Sequence, residues 1–223
     1  MCFDELERVM RTAGVRRVFI KLAHGSSASG VVAYQTNGKD HRATGAIEMV
    51  TVEGEIQLYN SRRVQTYTDH AQIAKLIDAL CKHRVHIEEW IPKAHMDNKA
   101  FDLRVVVVGG EAAHTVARLS HSPMTNLHLL NERRDRETVM NWIGEKSFDT
   151  AMNVCQKAMG CFSKSLYGGV DLLVTPDFQS HFVLEMNAFG DLLHDTFYQG
   201  VDTYTLELEK VDYGQHAGNR WHA

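Results

Sequence analysis

No aliphatic stretch in the sequence is long enough to cross a bilayer: the longest, Val105–Val108, is far short of the roughly 20 apolar residues a spanning helix needs. Proline is scarce, with 3 in 223 residues, so no proline-rich linker is expected, and there is no internal repeat or low-complexity tract. The four cysteines, Cys2, Cys81, Cys155 and Cys161, contain no C-x-x-C pair, so reduced thiols in a cytoplasmic protein are expected. A basic surplus is also missing. Lys+Arg total 24 against 28 Asp+Glu, a net charge of -4, which argues against nucleic acid or an anionic membrane held by bulk charge. The opening Met1–Arg8 is acidic and amphipathic, unlike a signal peptide.

What is present is enough for a core. With 44% hydrophobic and 23% charged residues, the composition is that of a globular chain and excludes intrinsic disorder. A chain of this length should bury roughly 70–75% of its unfolded surface as one large domain or two small ones. Leu6, Val9, Met10 and Ala13 predict a helix over Phe3–Ala13 that ends at Gly14. Arg17–Ala23 and Val31–Tyr34 read as strands joined by Gly25–Gly30, and Gly45–Val52 with Ile56–Tyr59 as a hairpin. Asp69 can cap a helix through Ile73, Leu76, Ile77 and Leu80. Val85–Trp90 is a strand, and Phe101–Val108 with Ala112–Leu119 a hairpin. A polar, irregular stretch follows from Ser120 to Arg134. Helices are expected over about Arg136–Gly144 and Phe148–Leu166, then strands over Gly169–Val174 and Phe182–Asn187. Hairpins mixed with helices indicate an α+β fold.

Three groups of residues could carry chemistry. The loop from Gly25 through Ser26, Ser27 and Ser29 to Gly30 lies between two strands, so it is no Walker A loop, which opens a helix. Its backbone N–H groups and hydroxyls could still cover a triphosphate, with Lys21 as a point charge on the strand leading in; a plain surface hairpin of small residues would read the same way. Glu185 and Asn187, two apart on a strand, share a face, and Asp171 is on the partner strand. Two carboxylates and an amide oxygen suit Mg²⁺, with Mn²⁺ as the alternative. Their apolar surroundings weigh against a merely solvated sheet face. Asp102, Arg104 and Arg118 place charge on otherwise apolar strands, with Asn126 in the irregular stretch beyond. A salt bridge from Asp102 accounts for one arginine and leaves the other without an obvious partner. Arginine suits a phosphoryl group or a carboxylate. Among the 13 histidines, His83 and His86 lie near Cys81, but neither H-E-x-x-H nor C-x-x-C supports zinc there.

Taken in order, Val18–Lys21 with Gly25–Gly30, Glu88-Glu89-Trp90-Ile91, Asp102-x-Arg104, Arg118, Asn126-Leu127-His128, Gly169-Val170-Asp171 and Glu185-Met186-Asn187 resemble an ATP-grasp ligase. They are most similar to the branch of bacterial glutathione synthetase and the ribosomal-protein glutamate ligase. The resemblance runs from about Val18 to Leu193. It implies two α+β subdomains, residues 1–91 and 92–223, that grasp ATP between two antiparallel sheets. It further implies that Lys21 meets the phosphates and base edge, that the loop Gly25–Gly30 closes over the phosphates, and that Glu88 reaches the ribose or base edge. The main chain around Glu89 and Ile91 would bind adenine, and Asp102 would lie near the ribose. Asp171, Glu185 and Asn187 would hold Mg²⁺ on the triphosphate. Arg104, Arg118 and Asn126 would face the γ-phosphoryl group and the acceptor. The implied activity joins a carboxylate to an amine or thiol through an acyl-phosphate, the acceptor being a small molecule, a peptide or a protein. Such enzymes usually carry a further N-terminal domain. This chain is therefore expected to lack it and to be a fragment, or to be completed by a partner chain or a second copy. Without that domain, a nucleotide-binding module inactive by itself is the other reading.

Overall fold

A computed structural model describes residues 1–25, 29–125, 132–188 and 193–216. The chain forms two compact units, Met1–Ile91 with a short segment that begins at Ser122, and Pro92–His121 with most of the chain that follows.

In the first unit, α1 (Phe3–Ala13) precedes β1 (Arg17–Leu22), β2 (Val31–Thr36), β3 (His41–Val52), β4 (Glu55–Tyr67), α2 (His70–Cys81) and β5 (Val85–Glu89). The strands form one antiparallel sheet in the order β4-β3-β2-β1-β5. Period two along β1 buries Val18 and Ile20 and turns Phe19 and Lys21 to the opposite face. In α2, Ile73, Leu76, Ile77 and Leu80 recur at i, i+3, i+4 and i+7, and all four are buried with Phe3, Leu6 and Met10 of α1 against Val18, Ile20, Val32, Tyr34 and Ile47. Each such side chain contributes roughly 1.5–3 kcal/mol on burial. Asp69 caps α2 by accepting the Gln72 N–H at 2.8 Å. The Phe3 N–H, donated to Asp78 Oδ1 at 2.7 Å, ties the start of α1 to α2.

The second unit holds β6 (His95–Met96), β7 (Lys99–Val108), β8 (Glu111–Ser120), β9 (Glu132–Asp135), α3 (Arg136–Ile143), α4 (Glu145–Gly160), β10 (Tyr167–Val174), β11 (His181–Asn187) and α5 (Thr203–His216). Its sheet runs β11-β10-β7-β8-β9, with β6 paired to β7. One face buries Phe101, Leu103, Val105, Val107, Val170, Leu172 and Val174 beneath Val139, Ile143, Phe148, Met152 and Met159 of α3 and α4. On the other face β7 alternates the same way but carries Asp102 and Arg104 before Val106 and Val108. The last two pack with Leu206 of α5 and with Leu193. Among the described residues no helix is long and apolar enough to cross a membrane.

Several elements depart from the expectations, among them the short β6 that pairs with β7. The β3–β4 hairpin extends well past Gly45–Val52 and Ile56–Tyr59: β4 is an edge strand with mostly exposed side chains, so no apolar alternation marks its length. Helix α4 starts at Glu145 and stops at Gly160, and the residues from Cys161 form turns. The stretch expected to be irregular contains β9, a strand of four charged residues paired with β8. Helix α5 was not expected; Asp202 caps it through the Thr205 N–H at 3.0 Å.

Two glycines with positive φ separate backbone strain from packing. In the β3–β4 turn, Gly54 (φ 85°) has nothing within 4 Å of a built Cβ, whereas at Gly30 (φ 67°) that Cβ would fall 2.2 Å from Leu22 Cδ1. Gly54→Ala should cost about 1–2 kcal/mol, the left-handed penalty alone. Gly30→Ala should cost about 1–3 kcal/mol more, because Leu22 must be displaced. Equal losses in urea unfolding would refute the close approach.

Candidate functional site

Strand register gathers the charged residues of the second unit into one patch. Asp171 of β10 stands directly opposite Glu185 of β11 and, on its other side, opposite Arg104 of β7. Asn187 lies opposite Gly169, and Asp102 opposite Arg118 of β8. All of them use the face away from α3 and α4. Arg104 grips Asp171 with two nitrogens, Nε on Oδ1 and NH2 on Oδ2, the latter at 3.1 Å. Arg118 bridges two carboxylates: Nε reaches Asp102 Oδ1 at 2.8 Å and NH2 reaches Asp171 Oδ2 at 2.9 Å. Lys93 donates to Asp102 Oδ2 at 2.8 Å. Asp102, Arg118, Asp171 and Lys93 are all buried. Sequence reasoning placed one arginine in a salt bridge and left the second without a partner. The structure pairs both, because Asp171 is within diagonal reach of Arg118 as well as opposite Arg104.

Burial opposes the charge on Asp102, but Arg118 and Lys93 outweigh it and hold its carboxyl well below the usual carboxylate range. Arg118 is held charged in the same way by Asp102 and Asp171 against the burial of its guanidinium. Glu185 goes the other way. Lost hydration, the facing Asp171 charge and a hydrogen bond to Asp171 raise its carboxyl above the ordinary value. The donor set of Asp171, Glu185 and Asn187 is all oxygen and includes two opposed carboxylates whose repulsion a dication would relieve. It fits a hard cation such as Mg²⁺. The Asn187 amide is within 3.4 Å of Glu185 Oε1, at the edge of the same row.

In the first unit, Lys21 Nζ lies 2.6 Å from Glu88 Oε2, and His86 Nε2 is 2.9 Å from Glu88 Oε1. Lys21 also sits over the Phe19 ring at 5.8 Å, and Phe19 leans on Trp90 at 5.3 Å. Gly25, Ser29 and Gly30 form the described ends of the β1–β2 loop; Ser26 and Ser27, like Asn126 of the arginine group, lie outside the described residues. Glu89 is exposed at the end of β5, and the Ile91 N–H donates to its carbonyl at 3.1 Å.

Lys93 was missed by sequence reasoning. Its role follows from the geometry: Arg118 divides its nitrogens between Asp102 and Asp171, which leaves Asp102 Oδ2 to Lys93. A cleft of about 660 Å³ in the second unit was missed as well; Arg133, Arg134, Arg136 and His194 line it together with Asp135, Glu137 and Asp195. Arg133 lies opposite Arg118 across β8–β9, which sets this cleft beside the charged row.

Neither a protein-family model nor a curated protein sequence matches the chain. Among solved structures, the D-alanine–D-alanine ligase from Coxiella burnetii aligns with 96% of this chain at a TM-score of 0.51 and 14% identity. The fold is that of an ATP-grasp enzyme. The alignment takes in 50% of the ligase chain, so this chain spans about half that enzyme's length, and the likeness is one of fold.

Two outcomes follow from the charge arrangement. Removing Arg118 strips one partner from each of two buried carboxylates, so Arg118→Ala should lose about 3–5 kcal/mol in equilibrium unfolding; a loss below 1 kcal/mol, the usual worth of a surface pair, would show the network to be solvated. A raised Glu185 means that the folded state holds more protons than the unfolded state above the ordinary glutamate value. Metal-free stability should therefore fall as pH rises through that window. Glu185→Gln should remove that fall and melt no lower than the parent at neutral pH. A lower melting temperature would make Glu185 a structural residue.

Proposed function

We propose that the chain is a Mg-ATP-dependent ligase that joins a carboxylate to an amine or thiol through an acyl-phosphate, in the manner of the glutathione synthetase and ribosomal-protein glutamate ligase branch. One observation carries this reading: two opposed carboxylates and an amide, Asp171, Glu185 and Asn187, lie beside Arg104 and Arg118 on one sheet face of an ATP-grasp fold. Bound Mg²⁺ would offset triphosphate charge. The chain's own residues supply position and further charge. Asp171, Glu185 and Asn187 hold the ion, and Arg104 and Arg118 are fixed by their carboxylate partners before substrate arrives, so little reorganisation is needed when charge develops. Lys21, the loop from Gly25 to Gly30, Glu88 and the main chain near Glu89 and Ile91 take the nucleotide. The cleft next to Arg118 carries both signs of charge, which supports an acceptor with the ends of an amino acid or peptide.

A second reading, a nucleotide-binding module without turnover of its own, is favoured by the grip of two guanidinium groups on Asp171. Calorimetric titration separates these readings. ATP should bind in Mg²⁺ and much more weakly in EDTA. Mg-ATP at a hundred times its Kd should add about 2.7 kcal/mol of stability if it binds only the folded state. Asn187→Ala, at the edge of the row, should weaken Mg-ATP binding and leave metal-free melting unchanged. Equal affinity in Mg²⁺ and EDTA would remove the metal assignment. Phosphate release that requires both a carboxylate and an amine marks the ligase; Mg-ATP binding without release, even with a partner chain added, marks the binding module.

A further inference from the structure

We propose that Glu7, His41 and His70 form a binding site for a divalent transition-metal ion, zinc by its chemistry, in the first unit. Glu7 is on α1, His41 opens β3, and His70 is the first residue of α2 after the Asp69 cap. One ligand atom from each lies within 4.8 Å of the others. A tetrahedral zinc, with bonds of about 2.0–2.2 Å to nitrogen and oxygen, needs its donors about 3.3–3.5 Å apart. His41 Nδ1 and Glu7 Oε1 already stand 3.4 Å apart. Small rotations of an exposed His70 close the remaining distance.

The surroundings hold the ligands as outer-shell groups of a metal site do. The hydroxyl of the fully buried Tyr34 donates to Glu7 Oε1 at 2.8 Å and so orients that carboxylate; its 2.8 Å contact with His41 Nδ1 is a hydrogen bond that an ion on that nitrogen would replace, the ring proton moving to Nε2. The His41 ring stacks on Tyr34, and the His70 ring stands edge-on to both His41, at 4.5 Å, and Phe3, at 5.2 Å. Two imidazoles and one carboxylate make three protein ligands, the number at which zinc retains an open position. His41 and His70 also line a cleft of about 790 Å³, where Arg16, Arg17, Lys39 and Arg42 outnumber Asp40. The basic lining fits water or an anion as the fourth ligand. Imidazole nitrogen selects zinc over Mg²⁺, so this site does not depend on the ligase reading or on Asp171 and Glu185. An ion here would fasten α1, β3 and α2 together.

Co²⁺ serves as the spectroscopic probe and Zn²⁺ as its competitor, on the full chain. Co²⁺ should give the visible bands of a four-coordinate site, and one equivalent of Zn²⁺ should abolish them, with excess Mg²⁺ having no effect. His70→Ala should lose the bands and weaken zinc at least about tenfold, and Tyr34→Phe should weaken it about 10–100-fold as an outer-shell change. His83→Ala, a control for the other exposed histidines, and Glu185→Gln should retain both. No zinc uptake at stoichiometric concentration, or uptake unchanged by His70→Ala, would overturn the site. If His70→Ala fails to fold, the imidazole proton resonances of the intact chain decide. Zinc should move two of the 13 histidines and leave the rest in place; a diffuse shift of many would overturn the proposal.

Discussion

Two carboxylates stand in the buried part of the second sheet, and the arrangement around them follows from the need to keep them neutralised. Asp102 and Asp171 are each about as inaccessible as the valines beside them. An unpaired ion there would cost several kcal/mol. Three cations answer them, namely Arg104, Arg118 and Lys93, with Arg118 shared. These three cations face the two buried carboxylates, and Glu185 stands at the outer end of the same row, its carboxyl raised by lost hydration and by the facing Asp171 charge. A dication between Asp171 and Glu185 would offset the repulsion of the two facing carboxylates and shift the balance of the row towards polyanions. Local chemistry thus supplies both cations fixed in place and a facing pair of carboxylates that an ion could bridge.

The same patch explains which parts of the fold were legible. On β7, β8 and β10 one face must meet α3 and α4, and the apolar residues of these strands report that burial directly. β9 has no such requirement. Its residues, Glu132-Arg133-Arg134-Asp135, are charged on both faces, and only pairing with β8 makes them a strand. α5 presents few apolar positions, and among its described side chains Leu206 is the apolar one that is buried, so no helical stripe marks it. β4 is the edge counterpart of the same problem in the first sheet.

At the site, spacing placed Glu185 and Asn187 on one face and Asp171 across from them, and the register agrees. Spacing could not reveal the bulge after Asp171, where Leu172 pairs with Val183 and Leu184 is passed over. An extra residue in one strand shifts every later side chain relative to its partner. The register therefore holds at the polar end of the hairpin and changes beyond it, towards Phe182 and Val183, which are exposed. Nor could pattern show that Arg118 touches Asp171: that contact is diagonal across three strands and depends on the length of the arginine side chain.

The two candidate ion sites differ in a way that keeps them separate chemically. In the second unit the donors are oxygens on strands, two of them facing carboxylates whose repulsion an ion would relieve, which suits an ion that comes and goes with a polyphosphate. In the first unit two of three donors are nitrogens, and each comes from a different element with its ring or carboxylate held by aromatic neighbours and a buried phenol. A hard ion that prefers to keep its water gains little from imidazole, and zinc gains much. Occupancy of the first site would stabilise the packing of α1 and α2 on the sheet by mass action, in proportion to the logarithm of free zinc over its Kd. Filling of the second would follow nucleotide instead. The stability of the chain should therefore answer to two ions by independent routes, one read through the helices of the first unit and the other through the charged face of the second.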